Sequence, residues 1–498
     1  MTTSSSPTEE FAARLAQPKS IVPVALAIGA ATFFLILDLT AINVAFGPFQ
    51  RDLGATFSGM QWILDAYATS MAAALLLSGV FADRFGPRAV MYTGAGIFAL
   101  ASMMAALSDS VGLLIFARSV QGIGAAALLA SVPVLVVHNF PKERRLVGFG
   151  IFGGASGIAL AGGPLIGGAL MAISWQWIFW VNLPAMLCTV LALYGCRSLG
   201  RSGRALGGRT LSAVVLGICL FALVFVLTHG YDMGLGDGRI VAGITVAIVA
   251  GGVFVGLQRF PAYELIDLAL FRNRTFVGIN LITLLVNMAV FPLVLISVLY
   301  FEIVHGLSPV QTGLRLMVLT VALFVGSAAA MAIQAKIGRT HAITVSLVAL
   351  AAGLALLALL DTGSSWTTLI PGFIVAGFGM GVFNPLRAEG TAALVPEETT
   401  GMASGTGNSL QELGVAAGIA FSGTLFFQTM KDHFGAGFDE LRERAAGGAH
   451  LPVEVSAHLD DAFVTAWDRV VLFGAATIVV GLLVWLATGR ETMFRYEP

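Results

Sequence analysis

Long apolar stretches alternate with short polar turns along almost the whole chain. Each stretch holds about 20 residues, the length that a helix needs to cross roughly 30 Å of hydrocarbon. The pattern therefore predicts fourteen membrane-spanning helices. They cover residues 21–46, 60–81, 89–108, 112–137, 146–172, 177–196, 210–228, 239–258, 276–301, 310–335, 341–360, 366–386, 403–429 and 468–488.

Composition supports this pattern. Of the 498 residues, 57% are hydrophobic and 11% are charged, whereas soluble domains carry about 25% charged residues. The fold class that follows is an all-α polytopic membrane protein. Three cysteines (Cys188, Cys196 and Cys219) lie in or beside predicted spans. They show no paired spacing, so they predict neither a disulfide framework nor a metal site.

Positive charge sets the expected orientation. Most Lys and Arg residues fall in the segments on the same side as the N-terminal tail, and cytosolic segments carry this excess. We therefore expect both tails (1–20 and 491–498) to be cytosolic, with no cleaved signal peptide. Residues 259–275 are expected to form a cytosolic interfacial helix. Residues 430–467 form the longest outer loop; it is either a lid or partner site, or a short amphipathic lead-in to the last span.

The stretch "GVFADRFGPR" (79–88) is a polar interruption between two spans. Gly79 allows two helices to approach closely, and Gly86 with Pro87 turns the chain. Asp83 is placed to accept hydrogen bonds from a neighbouring helix N-terminus or an arginine, while Arg84 and Arg88 can bond helix C-termini or lipid phosphates. This turn is predicted to form a polar latch at the cytosolic mouth of a helix bundle.

An ionisable side chain inside a membrane span costs free energy to insert, so each one is a candidate functional residue. Asp38 and Arg118 are expected at similar depths, which makes an ion pair plausible; it is either static or part of a protonatable site. Glu412 lies near the middle of its span and could neutralise a cationic substrate, carry a proton, or bond Asn408 or Gln411. Acidic and basic residues at the outer span ends are expected to form a solvated rim: Asp65, Glu302, His305 and Arg315.

The two halves of the chain repeat. "MAIQAKIGRT" (331–340) aligns with residues 79–88, and "AGFGMG" (376–381) aligns with "QGIGAA" (121–126). The second copy has Ala335 in place of Asp83 and Phe373 in place of Arg118. Internal repeats of this kind are typical of secondary transporters. We therefore expect the polar coupling residues to be concentrated in the first half.

These stretches resemble motifs of the major facilitator superfamily. Residues 79–88 resemble its loop motif, with Pro87 in place of a basic residue, and "LIFARSVQGIGAAAL" (114–128) resembles its fourth-span motif. "GGPLIGG" (162–168) resembles the fifth-span antiporter motif. Three further stretches resemble signatures of the 14-span drug:proton antiporter branch: "LDLTAINVAF" (37–46), "WQWIFWVNLP" (175–184) and "LIDLALFRNRTF" (265–276).

The resemblance implies two six-helix bundles (21–200 and 276–490) with two additional helices (201–258) between them. We expect a proton and substrate pathway through Asp38, Asn43, Arg118, Asp65, Glu302 and Glu412. The resemblance also implies that Gly163, Pro164, Gly167 and Gly168 keep the empty transporter from leaking. Two residues depart from the family: Gln411-Glu412 stands where Arg-Gln is common, and Glu302 where Gln is usual.

The expected function is a secondary active exporter of lipophilic, cationic drugs in the cytoplasmic membrane. Its partners would be protons, a small lipophilic substrate and membrane lipids, with no nucleic acid and no cofactor, and it would act as a monomer. A dedicated exporter of an endogenous lipid, siderophore or antibiotic is the alternative. An enzyme is disfavoured because the histidines fall at span ends or in loops, and the sequence has neither HExxH nor GxxxxGK[ST].

Overall fold

The computed structural model describes residues 21–194, 207–234, 236–260, 263, 270, 272–396, 399–434 and 453–489. Within these ranges the regular structure is helical throughout. The predicted tails, most of the 259–275 segment and residues 435–452 of the outer loop lie outside the described part. The long helices are α1 (Val22–Ala41), α2 (Phe57–Phe85), α3 (Pro87–Ala106), α4 (Val111–Asn139), α5 (Arg145–Met171), α6 (Asn182–Leu193), α7 (Gly207–Met233), α8 (Gly238–Leu257), α9 (Arg274–Leu299), α10 (Pro309–Leu357), α11 (Ile370–Ala393), α12 (Thr400–Phe434) and α13 (Val453–Thr488).

Among the described residues, 11 helices are long and apolar enough to cross a membrane, or 12 if the bent α5 counts as one span. The chain is therefore a multi-pass membrane protein. Two of the fourteen predicted spans (310–335 and 341–360) lie within α10, and a third corresponds to the shorter apolar segment Trp177–Leu193. The last helix begins at Val453 rather than near residue 468, because the amphipathic lead-in is helical and buries Phe463 and Trp467.

The repeat predicted from the sequence is present in the backbone. Gly86 ends α2 with φ 86° and ψ 144°. Gly338, which aligns with it, interrupts α10 with φ 78° and ψ 162°. Side chains disfavour this left-handed region, and glycine does not. Each half therefore makes the same turn at the same place.

The second aligned pair of motifs makes the same helix contacts in both halves. A methyl group on Gly122 would lie 2.3 Å from the carbonyl oxygen of Tyr67, and one on Gly377 would lie 2.2 Å from that of Leu319. Tyr67 and Leu319 occupy the same place in the aligned repeat. Phe373 is fully buried where Arg118 is buried in the first half. The fold thus contains a duplicated helix packing in which the second copy lacks the charge of Arg118.

Gly377→Ala is expected to lower the melting temperature of the protein in detergent, because the added methyl would collide with backbone rather than with a movable side chain. Overpacking of this kind costs about 1–3 kcal/mol. Gly252→Ala is the matched control, since nothing lies within 4 Å of its added methyl. Equal melting temperatures for the two variants would contradict the tight packing.

The most extensive contacts between the halves come from two pairs of helices. α2 packs against α12, and α5 packs against α10. The second crossing is made by glycines: Gly157 faces Leu323 and Gly154 faces the ring of Phe324. α7 and α8, the accessory pair, pack against each other, and α7 also contacts α2 and α12. The accessory pair therefore packs where α2 of the first half meets α12 of the second. The boundaries of the predicted domains stay a prediction.

Candidate transport site

Five buried polar side chains from four helices meet inside the first half, and we call them the first polar centre. Asp38 of α1 accepts hydrogen bonds from Arg118 and Gln121 of α4 and from Asn182 of α6. The distances to Gln121 Nε2 and Asn182 Nδ2 are 3.0 and 2.6 Å. Ser102 of α3 accepts from Gln121 at 2.8 Å. None of these five side chains is reached by solvent from outside the bundle, with Asp38 only 1% exposed.

Arg118 is held from the opposite side by α2. Its Nε donates to the carbonyl oxygen of Ile63, and its guanidinium lies 4.3 Å from the centre of the Tyr67 ring. A buried charge is tolerated only when it is paired and hydrogen-bonded, and here Asp38, Gln121 and α2 provide those partners. The predicted Asp38–Arg118 interaction is therefore a direct ion pair. Protonation of Asp38 would remove the negative member of this pair.

A second polar centre lies in the other half. Arg387 of α11 donates from Nη2 to Gln411 Oε1 of α12 at 2.9 Å, and it interacts electrostatically with Glu412. Gly407 lies beside this group, since a methyl there would be in ordinary van der Waals contact with Asn280 Oδ1 at 3.5 Å and Arg387 Nη1 at 3.6 Å. Arg387 is 3% exposed. α11 continues to Ala393, past residue 386 where the predicted span ends, so Arg387 lies within the helix.

Tyr67 is electrostatically coupled to both polar centres. This side chain interacts electrostatically with Asp38 and Arg118 of the first centre and with Glu412 of the second. Each half thus contributes a carboxyl group and a guanidinium to the middle of the protein. The second half therefore carries more buried charge than its sequence suggests. Phe373 stands at the position aligned with Arg118, but Arg387 places a buried cation elsewhere on the same helix.

The polar turn at residues 79–88 closes one end of the bundle. Asp83 accepts from the backbone N–H groups of Gly401 and Met402, both at 2.7 Å, at the N-terminus of α12. A carboxylate is favourable at the positive end of a helix. A methyl on Gly79 would lie 2.4 Å from the carbonyl oxygen of Gly401. The expected hydrogen bonds from a helix N-terminus to Asp83 are therefore present, whereas a gating role for this turn stays a prediction. We call Gly79, Asp83, Gly86, Gly401 and Met402 the latch, and this end of the protein the latch end.

The two arginines of the turn differ. Arg88 donates to the Tyr92 hydroxyl group and lies 5.8 Å from the centre of the Tyr194 ring, so it packs on aromatic side chains. The Nε atom of Arg84 is buried without a hydrogen-bond partner. Bonding of either arginine to a helix C-terminus or a lipid phosphate stays a prediction.

The antiporter-like stretch in α5 packs tightly on α1. A methyl on Gly163 would lie 2.0 Å from Thr40 Oγ1, and one on Gly167 would lie 2.8 Å from the carbonyl oxygen of Ala41. Gly168 is half-buried, and the side chain of Pro164 lies outside the described part. α5 bends by 51° between Lys142–Leu160 and Leu165–Met171. The stretch therefore fixes α5 against the helix that carries Asp38.

Comparison with known proteins agrees with this architecture. Residues 28–419 match the family model of the Major Facilitator Superfamily. The chain belongs to the major facilitator superfamily. Among solved members, the proton:xylose symporter XylE has a TM-score of 0.62 at 13% identity, covering 94% of this chain and 96% of that one. At that identity the likeness shows the fold alone.

Several relatives in the superfamily are named for drug resistance. A methylenomycin A resistance protein of Streptomyces coelicolor is 32% identical over 453 residues, covering 88% of this chain and 92% of the relative. A puromycin resistance protein of Streptomyces alboniger is 34% identical over 409 residues and covers 80% of each chain. Multidrug resistance protein Stp of Mycobacterium tuberculosis is 29% identical over 408 residues, covering 80% of this chain and 75% of the relative. The family and these relatives are transporters rather than enzymes.

The four residues expected to form a solvated rim make specific contacts or are partly buried. Asp65 lies 3.5 Å from His229 Nε2. Arg315 lies 5.2 Å from the centre of the Trp366 ring. Partial burial lowers the pKa of His305 below its ordinary value, against the opposing effect of Asp460. Glu302 is half-buried in the π-turn Tyr300–Val304.

Asn43, the remaining residue of the predicted pathway, lies in the 3₁₀ turn Ile42–Ala45. Its side chain is outside the described part, so its place in the pathway stays a prediction.

Three residues of the two centres were missed as candidate site residues. Asn182 and Gln121 lie in the motif stretches. Each is an amide side chain in an otherwise apolar helix, and this contrast could have marked it as a site residue. Arg387 follows directly after a predicted span, where a cation normally marks its end. None of the three could be paired with its partner from sequence, because Asn182 and Asp38 are 144 residues apart.

An apolar groove of about 700 Å³ lies elsewhere, between the two parts of α10 and α11. Its lining includes Leu314, Val321 and Ile374, which are exposed on the surface of the bundle. The groove differs from the polar centres because all the residues that line it have apolar side chains. Lipid chains fit such a surface in a membrane protein.

Proposed function

We propose that the chain is a proton-coupled exporter of lipophilic, cationic compounds. The observation that carries this proposal is a buried polar centre in each half: the Asp38–Arg118 ion pair in the first, and Arg387, bonded to Gln411 and electrostatically coupled to Glu412, in the second. A proton and a cationic substrate would compete for Asp38 and Glu412. Inward proton movement then drives outward substrate movement, and each elementary charge that crosses contributes about 2.3 kcal/mol per 100 mV.

The membrane arrangement that we propose has fourteen spans. It divides α10 at Gly338, where the backbone leaves the helix, since 49 residues would extend about 73 Å as one helix. It counts α5 as one bent span and Trp177–Leu193 as another. Both termini would then be cytosolic, and the latch end would face the cytosol. This count is the one typical of the 14-span drug:proton antiporter branch.

A dedicated exporter of an endogenous antibiotic is the second candidate. It is favoured by a relative named tetracenomycin C resistance and export protein, from Streptomyces glaucescens, which is 28% identical over 417 residues. In either case the proton gradient supplies the energy, and we propose a single chain without a cofactor or nucleic acid as the working unit. Membrane lipids surround it.

The test uses everted membrane vesicles with an imposed pH gradient and ethidium as the substrate. The wild-type protein is expected to dissipate the gradient when ethidium is added, and vesicles without the protein are not. No response to ethidium or to other lipophilic cations would overturn the cation proposal. Acidic and neutral antibiotics would then be tested in the same vesicles.

Arg387→Gln is expected to slow this exchange strongly, since it leaves Glu412 without its guanidinium. Because Arg387 and Gln411 are in contact, the double variant Arg387→Gln/Gln411→Arg returns a guanidinium to the same place from α12. We expect it to recover part of the lost rate and to shift its pH dependence. Arg239→Gln is the control, since that side chain is 72% exposed. A double variant no better than Arg387→Gln would contradict this role.

A further inference from the structure

His229 of α7 occupies an unusual position near the end of the molecule opposite the latch. The residue is 4% exposed, although histidine is a polar, titratable side chain. Its ring stacks on Trp62 of α2, with centres 4.6 Å apart and planes 23° apart. Phe225 lies 5.0 Å away on its own helix. Asp65 Oδ2, on α2, lies 3.5 Å from His229 Nε2.

Both neighbours interact more strongly with a protonated ring than with a neutral one, whereas burial opposes the charge. An imidazolium is attracted to the face of a tryptophan and to a carboxylate. Asp65 keeps a quarter of its side chain exposed, so a proton can reach the pair from solvent at that end. Histidine ordinarily titrates near pH 6.5, within the range that a cell membrane meets.

Other charges on the helices packed against α7 lie farther along the bundle. Val224 of α7 packs beside Ala416 of α12, so the level of His229 corresponds to about residue 421. Glu412 and Lys431 then lie about 13–15 Å away along the helix axis. Arg239 of α8 is exposed and faces Asp237. The remaining charged groups on the packed helices are Asp83 and Arg84 at the latch end and Asp432 and His433 beyond Lys431. α7 itself carries Arg209 in its first turn and Asp232 three residues after His229, the latter with its side chain outside the described part.

We propose that His229 and Asp65 form a proton-binding site that fastens the accessory pair α7–α8 to the first half. α2 carries both this site and the backbone and ring that hold Arg118, through Ile63 and Tyr67. Protonation at this end tightens α7 on the same helix that supports the first polar centre. The accessory pair thereby senses the pH of the compartment opposite the latch.

A double-mutant cycle tests the site without any transport measurement. The apparent melting temperature of the full-length protein in detergent is measured at pH 5.5 and pH 8.5 for the wild type, His229→Gln, Asp65→Asn and both together. At pH 5.5 we expect each single variant to lose about 1–3 °C, and the double variant to lose no more than either single variant. At pH 8.5 we expect the coupling to disappear, because the ring is then neutral.

Two further variants keep the result interpretable. His229→Phe preserves the ring stack without a proton, so it should lose the same pH-dependent component as His229→Gln. His341→Gln, which changes an exposed histidine at the latch end, should lose none. Coupling of equal size at both pH values, or no coupling at either, would overturn the proton site. Since no gradient or substrate is involved, a failure here is distinct from a failure of the exporter proposal.

Discussion

Asp38→Asn is expected to abolish ethidium-driven proton release in everted vesicles. Asparagine keeps the shape of the side chain but carries neither the charge nor the exchangeable proton. It also leaves Arg118 buried without its counter-ion, a change that typically costs about 3–5 kcal/mol. We therefore also expect a lower melting temperature in detergent than for the wild type. Asp109→Asn is the matched control, because Asp109 is an exposed acid at the end of α3.

The outcome for Glu412→Gln identifies the carrier. If Asp38→Asn releases protons at the wild-type rate while Glu412→Gln does not, the first polar centre is a static ion pair and Glu412 carries the proton. Loss in both variants would show that the two carboxyl groups act together. Release at the wild-type rate in both would remove these two acids from the proposed mechanism.

Gly79→Ala is expected to hold the latch end open and to stop transport. Its methyl would lie 2.4 Å from a backbone carbonyl of the facing helix, and neither backbone can move aside without separating α2 from α12. Accessibility at the latch end reports this directly. Thr406→Cys, at a position 9% exposed on α12, would be labelled by a membrane-impermeant maleimide in the Gly79→Ala background and much less in the wild type.

The labelling needs a background in which Cys188, Cys196 and Cys219 are replaced by serine. Gly96→Ala, on α3, is the control, since its methyl would have nothing within 4 Å. Equal labelling of Thr406→Cys in the Gly79→Ala and Gly96→Ala backgrounds would show that the latch tolerates the methyl. Full transport by Gly79→Ala would lead to the same conclusion.

Local chemistry explains what could be predicted from the sequence. The latch was predictable because glycine, aspartate and a turn are adjacent in the chain, and the repeat because two short stretches of the second half align with two of the first. Asp38 and Arg118 could be matched by depth, since both are charges that a membrane helix must neutralise. Arg387 could not be placed, because hydropathy ends a span at the first cation whether or not the helix continues. Asn182 could not be paired with Asp38, because nothing local records a contact between α1 and α6.

The two most extensive crossings between the halves are held together by different interactions. The crossing of α2 and α12 is secured by two hydrogen bonds to one carboxylate, and such bonds break when water enters. The crossing of α5 and α10 contains Gly154 and Gly157 against Phe324 and Leu323. The turn of α10 that aligns with residues 79–88 has Ala335 in place of Asp83. The crossing of α5 and α10 therefore lacks the carboxylate that holds α2 against α12. Opening at the latch end would therefore be a swing rather than a symmetric parting: α5 and α10 act as the pivot, and α2 and α12 separate.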